Sequence, residues 1–165
     1  MSLTPALKHL FAPPWIARRA FPRPALERIE AAIKASEQRH RGEIRFAVEA
    51  ALEFLAVLRG LTPRERALEV FSLLRVWDTE ENTGVLIYLL WADHAVEIIA
   101  DRAANRSLPD GGWLAICDAM AQACREGRHV DGVVAAIGAV NQALQAALPA
   151  KGPDRDELPN RAIVI

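Results

Sequence analysis

Apolar positions change their period several times along this chain, and each change marks an element. Leu26, Ile29, Ala32 and Ile33 recur at helical spacing behind Pro24, a residue suited to a first helical position, and predict a helix over 24–40. Arg41 and Gly42 interrupt it. In EIRFAVEA the pattern switches to alternation, with Ile44, Phe46 and Val48 on one side and Glu43, Arg45 and Ala47 on the other, as in a strand. The following ALEFLAVLRGL fits a short helix or a packed loop, with the helix preferred. Thr62-Pro63-Arg64-Glu65 is a capping box with proline at the first helical position, and the helix it opens carries Ala67, Val70, Phe71 and Leu74 on one stripe as far as about residue 77.

A polar loop over 78–83 leads into GVLIYLLWA, apolar on both faces in the manner of a central strand. Asp93-His94 reads as a two-residue turn and AVEIIAD as the returning strand, a hairpin that carries Asp101 back beside Asn82. Asp110 is a candidate N-cap for a helix with Trp113, Ile116, Cys117, Met120 and Cys124 along one face, ended by Gly127. A last helix from about His129 places Val130, Val133, Val134, Ile137, Val140 and Leu144 on one side and stops before Pro149. The apolar end, Ile163 to Ile165, suits an edge strand.

The order is helix, strand, helix, strand, strand, helix, helix. A helical crossover makes the first two strands parallel and the hairpin adds an antiparallel third. The fold class is therefore α/β, a three-layer α/β/α sandwich around a small mixed sheet. Three segments follow: an arm over 1–23, rich in Pro and Arg and lying on the domain through Phe11, Trp15 and Phe21; a domain over 24–150; and a tail over 151–165.

Composition narrows the class. With 165 residues and 52% hydrophobic content one core suffices. Twenty basic residues against 21 acidic ones create no overall field for nucleic acid or an anionic membrane. The longest apolar run, over 85–92, is closed by Asp93 and His94, short of the roughly 18 residues of a membrane span. The first residues lack the pattern of a secretory signal, so the expected location is the cytoplasm without membrane insertion. Cys117 and Cys124 lie seven residues apart on one helix, about 10 Å by the helical rise, which predicts buried thiols and neither a disulfide nor a zinc site.

Topology gathers the polar loops. The starts of strands one and two and the end of strand three share one rim, where His40, Glu43, Trp77, Asp78, Glu80, Glu81, Asn82, Asp101 and Asp110 are expected to meet. Crowded carboxylates either take up protons or hold a cation. Asp78, Glu81, Asn82, Asp101 and Asp110 form the candidate metal set, with His40, Glu43, Glu80 and Trp77 lining the cleft. All-oxygen donors suit Ca²⁺ or Mg²⁺ rather than zinc. The competing roles are structural: Asp78 and Asp110 as caps, the glutamates as solvated charges. No GxSxG, Walker, GxGxxG or HExxH motif occurs, so no catalytic residue is assigned.

These residues resemble a family. Glu37-x-x-His40-x-Gly42-Glu43-Ile44, then Trp77, Asn82-Thr83-Gly84-Val85-Leu86 with Asp93, and REGRHVDGV near the end are similar to the TPM-domain proteins over 29–148. That group includes a plant thylakoid-lumen protein linked to photosystem II repair and many bacterial envelope proteins. The stretch VWDTEENTGVLIYLLWADHAVEIIADR, the Arg-rich start and the ELPNR-like tail look like its soluble proteobacterial branch. The resemblance implies a Rossmann-like sandwich, acid phosphatase activity in some members, and divalent-ion binding near the acidic loops, where Asp78, Asn82 and Asp101 match. Here the glycines usual after strand three are replaced by Ala103-Ala104-Asn105-Arg106, which removes a close backbone approach. The expected function is an interaction module that binds a cation at its acidic cleft and meets a protein partner at the membrane, such as another TPM-domain protein. The alternative is a divalent-cation-dependent phosphatase-like hydrolase.

Overall fold

The computed structural model describes His9 and residues 12, 13, 15–152 and 156–165. Phe11 of the arm and residues 153–155 of the tail lie outside the described residues. The elements are α1 (Trp15–Ala20), α2 (Arg23–Glu37), β1 (Glu43–Glu49), α3 (Phe54–Leu58), α4 (Pro63–Leu73), β2 (Gly84–Leu90), β3 (Ala95–Ala100), α5 (Arg102–Asn105), α6 (Gly112–Arg125), α7 (His129–Ala147) and β4 (Ile163–Val164).

The sheet order is β3-β2-β1-β4. β1 runs parallel to β2 from Glu43↔Gly84 to Glu49↔Leu90, β3 is antiparallel to β2, and β4 adds a parallel edge through Ala47↔Ile163 and Val48↔Val164. Every residue of β1 and β2 is buried because both faces are covered. Ile44, Phe46 and Val48 face the larger core with Val85, Ile87 and Leu89, against α2, α6 and α7 and the arm residues Ala17 and Phe21. Ala47 faces the other core with Leu86, Tyr88 and Leu90, against Ala67 and Val70 of α4 and Leu158 of the tail. This is the three-layer α/β/α sandwich. Among the described residues no helix is long and apolar enough to cross a membrane.

Boundaries follow local chemistry. The capping box of α4 is complete, with Thr62 accepting from the Glu65 N–H at 3.2 Å and Glu65 accepting from the Thr62 N–H at 2.8 Å. α4 ends at Leu73, short of residue 77, because Arg75 adopts φ +54° and its N–H and that of Val76 return to the Ser72 and Phe71 carbonyls. That is a Schellman stop with arginine in the left-handed place usually taken by glycine. Val76 then packs so tightly that a Cβ on Gly84 would lie 1.9 Å from its carbonyl oxygen, so only glycine can open β2.

Three other boundaries depart from the sequence pattern. Trp91–Asp93 form a 3₁₀ turn closed by His94 at φ +48°, so the hairpin has a four-residue connection instead of a two-residue turn at Asp93-His94. Asp110 does not cap α6, whose N-cap is Gly111 in the left-handed conformation without a side-chain bond. α2 begins at Arg23 and stops at Glu37, since residues after it turn to pair with the end of α7: the Arg41 N–H donates to Leu148 O at 2.9 Å and the Ala150 N–H to Arg39 O at 3.2 Å.

Candidate functional site

The chain passes from α2 to β1 through five residues, and polar side chains hold that turn. Glu37, 2% exposed, accepts the Ile44 N–H at 2.8 Å. His40, also 2% exposed, accepts the Gly42 N–H on Nδ1 at 3.0 Å, which leaves its proton on Nε2 to donate to Ser36 Oγ at 2.8 Å. Burial lowers the His40 pKa to about 4, opposed by the Gly42 bond, so the ring is neutral at pH 7. Glycine suits this turn, for a Cβ on Gly42 would meet the tip of the Leu144 side chain at 2.7 Å and His40 Nδ1 at 3.3 Å. Glu37, His40, Gly42 and Glu43 are thus one local device that delivers two glutamates to the start of the sheet.

Glu43 is 3% exposed and takes N–H bonds from the tail, Glu157 at 3.4 Å and Leu158 at 3.2 Å. Tail residue Asp156 lies beside it. One ligand oxygen each from Glu37, Glu43 and Asp156 come within 4.8 Å of one another. Arg45, 5% exposed, is the buried cation nearby; burial lowers its pKa and the charge of Glu37 raises it. Oxygen ligands on opposite sides of Ca²⁺ stand up to about 5 Å apart, whereas around Mg²⁺ they close to about 4 Å. The three carboxylates form a donor set that could hold a metal ion.

These residues edge a cavity of about 250 Å³ lined by Glu37, His40, Arg41, Glu43, Glu80, Glu81, Lys151 and Glu157 among others. Arg41 pairs with Glu81 and donates from Nε to Pro149 O at 3.2 Å. The Glu80 N–H donates to the Glu157 carboxylate at 2.7 Å. Acidic side chains outnumber basic ones around the opening, so its field favours cations.

Of the nine residues expected at this rim, His40, Glu43, Glu80 and Glu81 line the cavity. Asp78 instead pairs with Arg75 at 2.7 Å, and Asp101 caps α5 through the Arg102 N–H at 2.7 Å. Asn82 sits in a left-handed turn, φ +56°, with its carbonyl taking the Ala103 N–H at 3.0 Å, which does bring it beside the segment after β3 as the hairpin predicts. Asp110 lies in the turn ahead of α6. Trp77 is 48% exposed with the Arg75 guanidinium 5.7 Å from its ring. Glu37 and Asp156 are members that the rim argument leaves out. The first carried a signal, the E-x-x-H-x-G-E-I spacing, and the second adjoins the ELPNR stretch of the tail.

Comparison with known proteins agrees with this architecture. The profile of the TPM domain matches residues 20–143. The NMR structure of the BA42 protein from the psychrophilic bacterium Bizionia argentinensis is similar with a TM-score of 0.74 and 30% identity, over 85% of this chain and 92% of that one. No curated protein matches the sequence. With the profile covering most of the chain and the sandwich reproduced in a relative, the protein belongs to the TPM-domain family.

Proposed function

We propose that this TPM domain is a non-catalytic interaction module that holds one divalent cation, Ca²⁺ in preference to Mg²⁺, between Glu37, Glu43 and Asp156. The observation that carries the reading is the approach of three carboxylate oxygens to within 4.8 Å, two of them from buried residues. Like charges brought so close in a poorly solvated place repel unless a cation screens them.

A binding role is favoured over hydrolysis by how the polar groups are engaged. Both nitrogens of His40 are committed to Ser36 and Gly42, and Glu37 and Glu43 accept backbone N–H groups, so these side chains hold the turn and the tail in place. A general base needs a free reach to its substrate. A protein partner is supported by Leu68 and Leu73, exposed on α4 beside Glu65 and Glu69. Another TPM-domain protein at the membrane is the partner class that this reading carries.

Calorimetric titration of metal-stripped protein tests the ion. The expected result is one Ca²⁺ per chain, tighter than Mg²⁺, with affinity reduced at least about tenfold in Asp156→Asn, since losing one ligand of three removes on the order of 1.4 kcal/mol or more. Asp156 is exposed, so this variant keeps the fold. Absence of Ca²⁺ binding to the wild-type chain would overturn the proposal.

A further inference from the structure

The two ends of the sheet differ in charge. Acidic loops crowd the end where β1 and β2 begin: Glu80 and Glu81 line the cavity there, and the Asp101 N–H donates to Gly84 O at 2.8 Å. The end where β1 and β2 stop is built from α1, α3, the connection between β2 and β3, and the turn from α6 into α7. His129 Nε2 donates to Ala20 O at 2.8 Å and seats α1 beside that turn. His9 links Leu52, just ahead of α3, to Asp93 of the connection.

This second end is basic. Arg18 and Arg19 on α1, Arg59 closing α3 and Arg125 at the end of α6 are exposed, and among the described residues none of the four forms an ion pair. Arg125 bonds only the Gln122 amide oxygen. The acids of the same segments are Glu53, which is exposed, Asp93, which is bonded to His9, and Glu126, which is paired with Arg128.

Apolar side chains stand among these charges. Trp15 is 56% exposed and lies one turn from Arg18 and Arg19 on the same face of α1, whose inner side is held by the buried Ala17. α3 is apolar throughout, FLAVL, yet none of its residues is buried and Leu55 is 60% exposed. Tryptophan and aliphatic side chains bordered by unpaired guanidinium groups suit a surface that is anionic outside and apolar just beneath, which is the headgroup layer of a bilayer. A polynucleotide would neutralise the arginines but leave the aliphatic side chains of α3 in water.

We propose that this end of the sheet lies on an anionic membrane: Trp15 and Leu55 enter the headgroup layer, Arg18, Arg19, Arg59 and Arg125 meet the lipid phosphates, and the acidic end points away into water. The chain stays peripheral, since no described helix is long and apolar enough to cross. A net charge of −1 does not oppose this contact. The seven residues of β1 span roughly 20 Å, which puts the acidic rim beyond the Debye length of about 8 Å at physiological salt. The membrane face is at the other end of the sheet from the proposed ion site, and either can fail without the other.

Co-sedimentation of the full chain with lipid vesicles tests the contact, in EGTA so that no bound Ca²⁺ contributes. Phosphatidylcholine vesicles containing a quarter phosphatidylglycerol are expected to bind the chain at least about tenfold more tightly than phosphatidylcholine alone. Arg18→Gln/Arg19→Gln should weaken that binding about 30-fold, from about fivefold for each charge removed. Trp15→Ser and Leu55→Ser, both at exposed positions, should each weaken it about fivefold. Salt raised from about 0.1 M to about 1 M shortens the Debye length from about 10 Å to about 3 Å and should release most of the protein. Equal retention by the two kinds of vesicle, including none by either, would overturn the proposal, as would wild-type binding by the double arginine variant. Wild-type binding by both serine variants, with equally tight binding of a single-stranded polynucleotide, would make the surface a general polyanion site and overturn it too.

Discussion

Acid should loosen the turn between α2 and β1, and His40 sets the scale. Its pKa falls from the ordinary 6.5 to about 4 in the folded chain because burial penalises the charged ring. Protonation would also turn Nδ1 from an acceptor into a donor facing the Gly42 N–H. The neutral ring is favoured in the fold relative to the unfolded chain, so the stability it represents is present in full above about pH 6.5. It is lost as pH falls, because the unfolded state then binds a proton that the folded state refuses. At about 1.36 kcal/mol for each tenfold change, the loss between pH 6.5 and pH 4 comes to about 3 kcal/mol. Carboxylates elsewhere titrate in the same window, so the measurement is a difference between two proteins. Urea unfolding of the wild type and of His40→Asn, from pH 7 to pH 4, should show the wild type's advantage shrinking by about 3 kcal/mol, nearly all of it above pH 4. An advantage that stays constant across this range would mean that His40 does not titrate against folding, and the neutral assignment would be wrong.

Three further outcomes follow from single contacts. Glu49 accepts Arg66 twice, at 2.9 and 3.0 Å, and the buried Tyr88 hydroxyl at 2.7 Å, so Glu49→Gln should lower stability by about 2–3 kcal/mol in urea unfolding; a change under 0.5 kcal/mol would refute a tie between α4 and the sheet. Arg75→Gly relieves the left-handed residue at the end of α4 and gives up an exposed pair with Asp78, for a net gain of about 0.5 kcal/mol; a lower thermal midpoint would contradict it. Burial pushes both the Cys117 and Cys124 thiols up to about 11, so at pH 7.5 each holds about 100-fold less thiolate than it would unburied, and a disulfide reagent should label the native chain slowly but the urea-unfolded chain fast; equal rates would refute the buried assignment.

How far the sequence speaks depends on the range of the interaction that decides each feature. Thr62 and Glu65 cap α4 through bonds three residues long, and the alternation in β1 reports a face that every register shares, so both are legible. The end of α4 is not, because the left-handed position that stops it is filled by Arg75 and glycine is the signal that pattern reading uses. Asp110 fails as a cap for a related reason, since Gly111 and Gly112 already make the turn into α6 and Leu108 packs against Gly112. At the site, Glu43, Glu80, Glu81 and His40 follow from strand order alone. Glu37 reads in isolation as the solvated end of a helix, and becomes a buried carboxylate only because Gly42 lets the chain fold back on it. Asp156 joins from a segment more than 100 residues away, a placement that needs the docked tail and that no local pattern encodes.

Open α/β sheets usually receive ligands at the carboxyl ends of their strands, and here the cavity opens at the opposite end, where β1 and β2 begin. The chain's own side chains account for the reversal. At the carboxyl end His9 is 6% exposed, accepts the Leu52 N–H on Nδ1 at 3.1 Å and so donates from Nε2 to Asp93 at 3.0 Å. Phe21 stacks edge-on against Trp91 and His129, with ring centroids 5.8 and 5.1 Å away, and His129 reaches the Ala20 carbonyl at 2.8 Å. His9 and Phe21 of the N-terminal arm thus pack at this end of the sheet. At the amino end the covering element is the tail, whose Leu158 and Ala162 N–H groups donate to the Glu43 and Glu30 carboxylates and whose Asp156 comes within 4.8 Å of Glu37 and Glu43. One end is packed with aromatic rings; at the other the tail is held partly through carboxylates, which is why the proposed ion site lies there.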